Sequence, residues 1–325
     1  MARAAHGVAK ANAMSKKPSQ HWATQRERGS FWLMKFILQL TRILGRTLVA
    51  PVLYVVVFYF FVTGRSARQS IKTYYTNLAH WSGRDEFKPN NLKIFRQFMA
   101  FAQSILDKFD VWHGRLGLQH LDVDDPHAVR QQTRAQQGRG QILVGAHLGN
   151  LEVCRALAEV SKKVRMNVLV HTAHAQQINR LLNESGASNL RLIQVAELDA
   201  ATMLQLSQRI DEGEWLAIAG DRVPLHDKRL SLVQFLGQPA YLPQGPWLLA
   251  GLLQCPVNLF FCLKIKGRYR ICLEPFAQRI EWQRRSRQKI LDDCAQQFAD
   301  RLALRCLEAP DQWFNFYPFW NTDEQ

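Results

Sequence analysis

Short apolar runs alternate with amphipathic segments between residues 141 and 219, and this alternation constrains the fold more than any other feature of the sequence. The apolar runs predict strands, and the segments between them repeat apolar residues every three or four positions, as helices do. Strands are predicted over 141–146, 164–170, 190–195 and 215–219, and helices over 151–161, 175–185 and 199–211. Such an alternation is typical of a parallel sheet. We therefore predict an α/β fold with a mainly parallel central sheet flanked by helices.

The flanking sequence predicts further elements on both sides of this alternation. Apolar spacings of three and four predict two amphipathic helices, and polar segments predict loops. The predicted helices are 68–81, 92–112, 245–253 and 281–308, the strands are 230–236, 256–264 and 269–274, and the loops are 124–126 and 136–140. The aromatic cluster near the C-terminus is Trp313, Phe314, Phe316, Tyr317, Phe319 and Trp320. It fits either packing beneath the anchor helices or insertion at a membrane interface.

The chain is basic, and the excess positive charge is concentrated at the N-terminus. Its 42 Lys and Arg exceed its 27 Asp and Glu, which gives a formal net charge of +15. Residues 1–70 contain eleven basic residues against one acidic residue, Glu27. Such a segment suits nucleic acid, an anionic membrane surface or an acidic carrier protein, and charge alone does not choose among them. No motif for nucleic-acid recognition accompanies it, so we expect no nucleic-acid partner.

Residues 47–63 form an uncharged apolar run with arginines on both sides. The run is at the lower length limit for a helix that spans a membrane, and Pro51 interrupts it. A spanning helix, an interfacial helix and a buried core hairpin all stay open, whereas a cleaved signal peptide is disfavoured because no small-residue cleavage site follows the run. The predicted organisation is a disordered basic tail over 1–20, a membrane-anchoring region over 21–66 with its helix at about 47–63, and one large domain over 67–325.

The cysteines indicate neither a disulfide framework nor a metal site. They lie at positions 154, 255, 262, 272, 294 and 306, without a Cys-x-x-Cys pair and without histidines at zinc-ligand spacing. We therefore expect reduced thiols and no bound metal.

His147 is the candidate catalytic residue. It directly follows the predicted strand 141–146, and ligands of open α/β sheets bind at the carboxyl ends of strands. Gly149 allows a sharp turn, so that Glu152 on the next helix can face back to the imidazole. An imidazole paired with a carboxylate can accept the proton of a hydroxyl that attacks an acyl thioester. The acceptor hydroxyl then takes the place of the serine in a Ser-His-Asp triad, and no enzyme nucleophile is required.

A histidine followed by an acid five positions later also occurs elsewhere in the chain. His80 with Asp85 lies at a polar helix end, and His120 with Asp125 lies in an acidic loop. Neither pair follows a buried strand or has a glycine turn like that of His147. The alternative for His147 is a structural histidine bonded to a backbone carbonyl.

The run from His147 to Glu152, His-Leu-Gly-Asn-Leu-Glu, resembles the His-x4-Asp/Glu motif of the lysophospholipid acyltransferase superfamily, in its lipid A lauroyl/myristoyl acyltransferase branch. A second block around Asn179-Arg180 is similar to that branch, as is a third, Gly220-Asp221-Arg222, with a strand ending in Phe-x-Gly and a proline-bearing loop after it. The resemblance covers about residues 25–320 and is closest to a subgroup that occurs with aryl-polyene and related lipid gene clusters. Asp-Arg stands where the branch usually has Asp-Gln or Asp-x-Asp, so the acceptor need not be lipid A.

The resemblance implies roles for these residues. His147 is implied to be a general base oriented by Glu152. The residues implied to bind substrate are Gly149, Asn150, Asn179, Arg180, Asp221 and Arg222, with Arg180 on a phosphate and Asp221 and Arg222 shaping the pocket. Arg180 as a solvated helix residue and Asp221-Arg222 as a local ion pair stay open as alternatives.

The implied activity is that of a membrane-associated O-acyltransferase, with the domain over 67–325 as the acyltransferase domain. The donor is expected to be an acyl thioester of acyl-carrier protein or, as the second choice, of coenzyme A, and the acceptor a lipid or glycolipid hydroxyl. No cofactor is expected beyond this co-substrate, and the catalytic domain is expected on the cytoplasmic face of a bacterial inner membrane. One alternative is a non-catalytic basic protein that binds membrane surfaces or nucleic acid. A second is a hydrolase, which would need a serine or cysteine nucleophile beside the base, but the sequence contains no Gly-x-Ser-x-Gly motif.

Overall fold

The computed structural model describes residues 50–112, 115–129, 138–150, 165–170, 190–195, 198–223 and 229–320. Its strands are β1 (Leu121–Asp124), β2 (Ile142–Gly145), β3 (Met166–Val170), β4 (Leu190–Gln194), β5 (Trp215–Ala219), β6 (Leu230–Phe235), β7 (Gln238–Pro243), β8 (Val257–Ile265) and β9 (Arg268–Ala277). Its α-helices are α1 (Ala50–Thr63), α2 (Arg65–Ser82), α3 (Asn91–Trp112), α4 (Ala200–Asp211), α5 (Gly245–Leu253) and α6 (Arg287–Glu308).

A sheet of seven strands forms the centre of the fold, in the order β1-β9-β8-β2-β5-β3-β4. The strands β8, β2, β5, β3 and β4 are parallel to one another, β9 is antiparallel to β8, and β1 is parallel to β9. All four residues of β2 are buried, as expected for a strand covered on both faces. The predicted α/β fold with a mainly parallel sheet is confirmed.

Two predicted details were wrong. The proline-bearing loop expected after Gly237 is strand β7, which pairs with β6 in a two-stranded antiparallel sheet. Leu236 and Gly237 turn the chain with φ of 52° and 74°, which suits a tight hairpin turn. Pro239 is tolerated because a two-stranded sheet has only edge strands. The helix predicted from residue 281 begins at Arg287, after a turn segment.

The short strand β1 was not predicted. Its burial alternates weakly, with the side chains of Asp122 and Val123 exposed, so it lacks the apolar pattern of a core strand. It adds to the sheet edge through pairing with β9, and Asp122 accepts hydrogen bonds from Arg268.

The main core lies between the sheet and the helices α2, α5 and α6. Buried side chains of α2 include Ile71, Tyr74 and Leu78, and those of α6 include Phe298 and Leu302. Trp313 and other aromatic side chains of the C-terminal segment belong to the same core. The C-terminal aromatic cluster packs beneath α2 and α3, with ring contacts from Trp313 to Tyr74 and from Phe316 to Phe98. Both alternatives for this cluster stay open.

The helix α1 packs on α3 with one face only. Leu53 and Val57 are buried against Met99 and Leu106 of α3. The outer face carries large apolar side chains that are between 52% and 70% exposed, namely Tyr54, Val55, Phe58, Tyr59 and Val62.

Within the described residues no single helix has the length and apolar character to cross a membrane, although α1 and α2 together, bent by 87° at their junction, satisfy that test by length and composition. The spanning helix predicted at about 47–63 is therefore unconfirmed. The tail over 1–20 and most of the anchoring region over 21–66 lie outside the described residues.

Candidate active site

His147 and Asp221 meet at the carboxyl ends of two neighbouring parallel strands. The imidazole Nδ1 lies 2.8 Å from the Asp221 Oδ1, and the backbone N–H of His147 donates to Oδ2 at 2.9 Å. The side chain of His147 is 42% exposed, whereas that of Asp221 is 1% exposed. The ring is therefore open to solvent on one side and held by a buried carboxylate on the other.

The strand register explains why these residues meet. Gly145 at the end of β2 pairs with Ala219 at the end of β5, and the N–H of Gly220 donates to the carbonyl of Gly145 at 2.8 Å. His147 lies two residues after Gly145, and Asp221 lies two residues after Ala219. Because parallel strands end at the same edge of a sheet, the two residues lie next to each other at that edge.

Gly220 lies in a tight place between the strand and the carboxylate. A Cβ at this position would lie 3.0 Å from side-chain atoms of both Phe298 and Val144, so the packing of the core leaves almost no room for a side chain there. The chain can therefore pass tightly over α6 and place Asp221 beside the imidazole.

The carboxylate of Asp221 is ionised. Burial by itself would raise the pKa of Asp221, but the positive charge and hydrogen bonds of His147, together with the charge of Arg222, hold this pKa below its ordinary value. An ionised carboxylate only accepts hydrogen bonds, so in the neutral form of the imidazole the proton lies on Nδ1 and the lone pair lies on Nε2. This is the tautomer that a general base requires.

The segment Gln312–Phe314 closes the other side of the loop that carries His147. Leu148 forms an antiparallel β-bridge with Trp313, the N–H of Gly149 donates to the Gln312 carbonyl at 2.8 Å, and the N–H of Phe314 donates to the His147 carbonyl at 2.9 Å. The indole N–H of Trp313 donates to Asp221 Oδ2 at 3.2 Å. The backbone that carries the imidazole is thus fixed on both sides.

Gly149 lies where no side chain fits. Its φ is +78°, and a Cβ would lie 1.9 Å from the carbonyl oxygen of Cys262 in β8. The sharp turn predicted at this glycine is present, and close approach to β8 adds a second requirement for glycine.

Asn150 is buried and directed into the protein. Its amide donates to the carbonyl of Ser104 in α3 at 2.8 Å and to the hydroxyl of Tyr269 at 3.3 Å. Asp107, which is fully buried, accepts from Tyr269 and pairs with Lys264 at 2.7 Å. These contacts tie the loop to α3 and β9. A cavity of about 270 Å³ borders this network and is lined in part by Gly149 and Phe314. Substrate binding by Asn150 stays a prediction.

Arg222 lies beside the site and contacts the C-terminal segment. Its guanidinium donates to the carbonyl of Phe314 at 2.7 Å and lies 4.9 Å from the ring centroid of Tyr317. Its charge also helps to stabilise the Asp221 carboxylate.

Three predicted site residues, Glu152, Asn179 and Arg180, lie outside the described residues, and their roles stay predictions. The sequence assigned Asp221 to the pocket but did not assign it to the imidazole. A signal was present, because Asp221 follows its predicted strand by two residues. Trp313 was seen only as part of an aromatic cluster, and no local pattern pointed to its bond with Asp221.

The chain was compared with known proteins. No curated protein matches it. The model of the family described as bacterial lipid A biosynthesis acyltransferase matches residues 16–322, which is nearly the whole chain. This match shows that the chain, whose structure places a histidine and a buried carboxylate at the carboxyl ends of parallel strands, is an acyltransferase and belongs to the bacterial lipid A biosynthesis acyltransferase family.

Proposed function

We propose that this protein transfers a fatty acyl group from a thioester to a hydroxyl of a lipid or glycolipid acceptor, with His147 as the general base. The observation that carries the proposal is the half-exposed imidazole whose Nδ1 lies 2.8 Å from a buried carboxylate. An alcohol is too weakly acidic to attack a thioester by itself, so its proton must be accepted as the new bond forms.

The chemistry balances without a further reagent. Nε2 accepts the hydroxyl proton as the oxygen attacks the thioester carbonyl carbon, and the imidazolium formed is stabilised by Asp221. The tetrahedral intermediate then loses the thiolate, and the carbon–sulfur bond breaks. The imidazolium returns its proton to the sulfur, so the products are an ester and a free thiol.

Asp221 is proposed to orient the imidazole, and orientation by Glu152 stays a prediction. A single carboxylate on Nδ1 is sufficient to select the tautomer and to stabilise the imidazolium. We keep Glu152 as a predicted second acid of the site. Arg180 is proposed to contact a phosphate of the donor or acceptor, Asn179 to bind substrate, and Asp221 and Arg222 to shape the pocket.

The proposed donor is an acyl-carrier protein, with coenzyme A as the second choice. The chain carries a formal net charge of +15, and a basic surface attracts an acidic carrier and accelerates its encounter with the enzyme. Thioesters of such carriers are made in the cytoplasm, so we propose that the catalytic domain faces the cytoplasm.

The proposed location is the bacterial inner membrane. Members of the family are typically membrane-associated. The outer face of α1 supports this location for the present chain, because it exposes apolar side chains while basic residues crowd the preceding segment. Apolar contact and attraction to anionic lipids together suit a membrane surface.

The test is a transfer assay with the purified full-length protein, labelled acyl-carrier protein and inner-membrane lipids, with products identified by mass spectrometry. His147→Ala is expected to lower turnover by about 100-fold or more, which is the usual size of general-base catalysis. His120→Ala is the matched control, because His120 also precedes an acid by five positions but lies exposed in another part of the protein. Full turnover by folded His147→Ala would refute the proposal. Equal rates with coenzyme A would refute the preference for a carrier protein.

A further inference from the structure

Trp313 makes two kinds of contact that converge on the candidate active site. Its backbone forms the β-bridge with Leu148, next to His147, and its indole N–H donates to Asp221 Oδ2 at 3.2 Å. One residue therefore contacts both the loop of the base and the carboxylate that orients the base. The two contacts use different atoms of the residue.

The two oxygens of Asp221 have different partners. Oδ1 faces the imidazole Nδ1, while Oδ2 accepts from the backbone N–H of His147 and from the indole of Trp313. Two donors on one oxygen fix the rotation of the carboxylate about its last bond. Fixing Oδ2 in this way directs Oδ1 at the imidazole.

The surroundings hold the indole rigidly. Trp313 is 1% exposed and packs against the rings of Tyr74, Phe235 and Phe319 at centroid distances between 5.0 and 5.3 Å. The buried side chain of Gln97 donates to its carbonyl at 2.6 Å. A donor held this firmly needs no reorganisation when charge develops on the imidazole.

We propose that Trp313 is a positioning residue of this enzyme, which fixes the Asp221 carboxylate so that the carboxylate in turn orients His147. The proposal rests on His147 being the base of the proposed function. It assigns a role in the site to the C-terminal segment, more than 90 residues beyond Asp221 in the chain.

Trp313→Phe tests the proposal because it keeps an aromatic ring and removes the N–H donor. Trp320→Phe is the matched control. Trp320 belongs to the same cluster, with its ring centroid 5.8 Å from that of Trp313, but its indole N–H donates to the carbonyl of Phe235. Both variants lose one indole donor, and only the first takes it from the carboxylate.

Two readouts separate positioning from packing. In the transfer assay, Trp313→Phe is expected to lower kcat by about tenfold and to change KM by less than about twofold, because misplacement of the base affects the chemical step. In NMR spectra of histidine-labelled protein, the pH midpoint of the His147 signal is expected to differ from that of the unmodified protein, because the carboxylate that faces Nδ1 loses one of the two donors that fix its rotation. Trp320→Phe should change neither quantity.

The charged and titratable groups close to Asp221 among the described residues are His147, Arg222, Tyr317 and Cys306. Neither tryptophan variant alters any of them, so a shift confined to Trp313→Phe is due to the lost donor. The NMR midpoint does not depend on catalysis and therefore tests Trp313 even if the proposed activity fails. A midpoint that is the same in both variants and the unmodified protein would overturn the proposal.

A measurement on the unmodified protein covers the case in which Trp313→Phe does not fold. The chain has nine tryptophans, and with indole nitrogen-15 labelling we expect one indole N–H signal to follow the pH midpoint of His147. That dependence should disappear in His147→Gln. If no indole signal follows the histidine, Trp313 is not coupled to the base.

Discussion

Asp221→Asn is the substitution that most directly tests the site, because it alters one atom and removes the charge. The oxygen of an asparagine can still accept from the backbone N–H of His147 and from Trp313 at the Oδ2 position. Its NH2 group would then face the imidazole Nδ1, which lies 2.8 Å from Oδ1 in the unmodified protein. An NH2 group donates, so Nδ1 must accept, and the ring proton moves to Nε2.

With its proton on Nε2, the imidazole is still present but has no lone pair there to accept the proton of the acceptor hydroxyl. We expect turnover to fall by about 100- to 10,000-fold, which is the range for loss of general-base catalysis. Hydrogen bonds to a charged group contribute about 1.5–3 kcal/mol each to stability. The backbone N–H of His147 and the indole of Trp313 can still donate to the amide oxygen, so part of this stabilisation is kept. The expected loss of stability is therefore about 1–3 kcal/mol, measured by denaturant unfolding.

The pH dependence of stability has a definite sign. The pKa of Asp221 is lower in the folded protein than its ordinary value of 3.8. Its contribution to stability is therefore present above the unfolded-state pKa and is lost as the pH falls through the folded-state pKa. The difference in stability between the unmodified protein and Asp221→Asn should shrink as the pH is lowered below about 4.

Asp122→Asn is the control for this experiment. Asp122 also accepts hydrogen bonds from a basic group, Arg268, but is about half exposed at the edge strand β1. We expect unchanged turnover and a much smaller change in stability than for Asp221→Asn, because solvent screens a surface ion pair. If folded Asp221→Asn keeps the turnover of the unmodified protein, the assignment of Asp221 as the partner of the base is refuted.

Three further predictions concern other parts of the chain. Glu152→Gln should lower turnover by about tenfold or more if this residue also orients the base, and full activity would leave orientation to Asp221. Gly149→Ala should destabilise the protein by at least about 1–3 kcal/mol in denaturant unfolding, because its φ of +78° and its approach to Cys262 exclude a side chain. Val55→Glu should lower the partition constant onto anionic lipid vesicles in a sedimentation assay by about tenfold, from the lost burial of one valine and the added repulsion.

Matched controls exist for the second and third of these. Gly245→Ala introduces a methyl group where no atom lies within 4 Å, and we expect stability close to that of the unmodified protein. Leu204→Glu changes a side chain on α4 that is 73% exposed, compared with 70% for Val55. If it weakens vesicle binding as much as Val55→Glu does, α1 is not the docking surface. A Gly149→Ala protein of unchanged stability would contradict the packing argument.

Local patterns were sufficient for most of the sheet and for the position of His147 at the end of a buried strand. The runs that end at Gly145 and Ala219 are apolar over lengths typical of buried strands, and the helix over 245–253 was predicted with its observed bounds. These features depend on neighbours within a few residues, and the period of apolar residues records them directly. The position of His147 after the strand that ends at Gly145 follows in the same way.

The partners of His147 were decided by tertiary structure. Asp221 is 74 residues away in the chain, and only the pairing of β2 with β5 brings it to the imidazole. Trp313 lies near the far end of the chain, and its β-bridge with Leu148 brings it beside His147. Periodicity within a segment carries no information about which strands become neighbours, because that choice is made by the packing of the whole core. The sequence therefore located His147, and the strand order of the sheet brought the carboxylate of Asp221 to its imidazole.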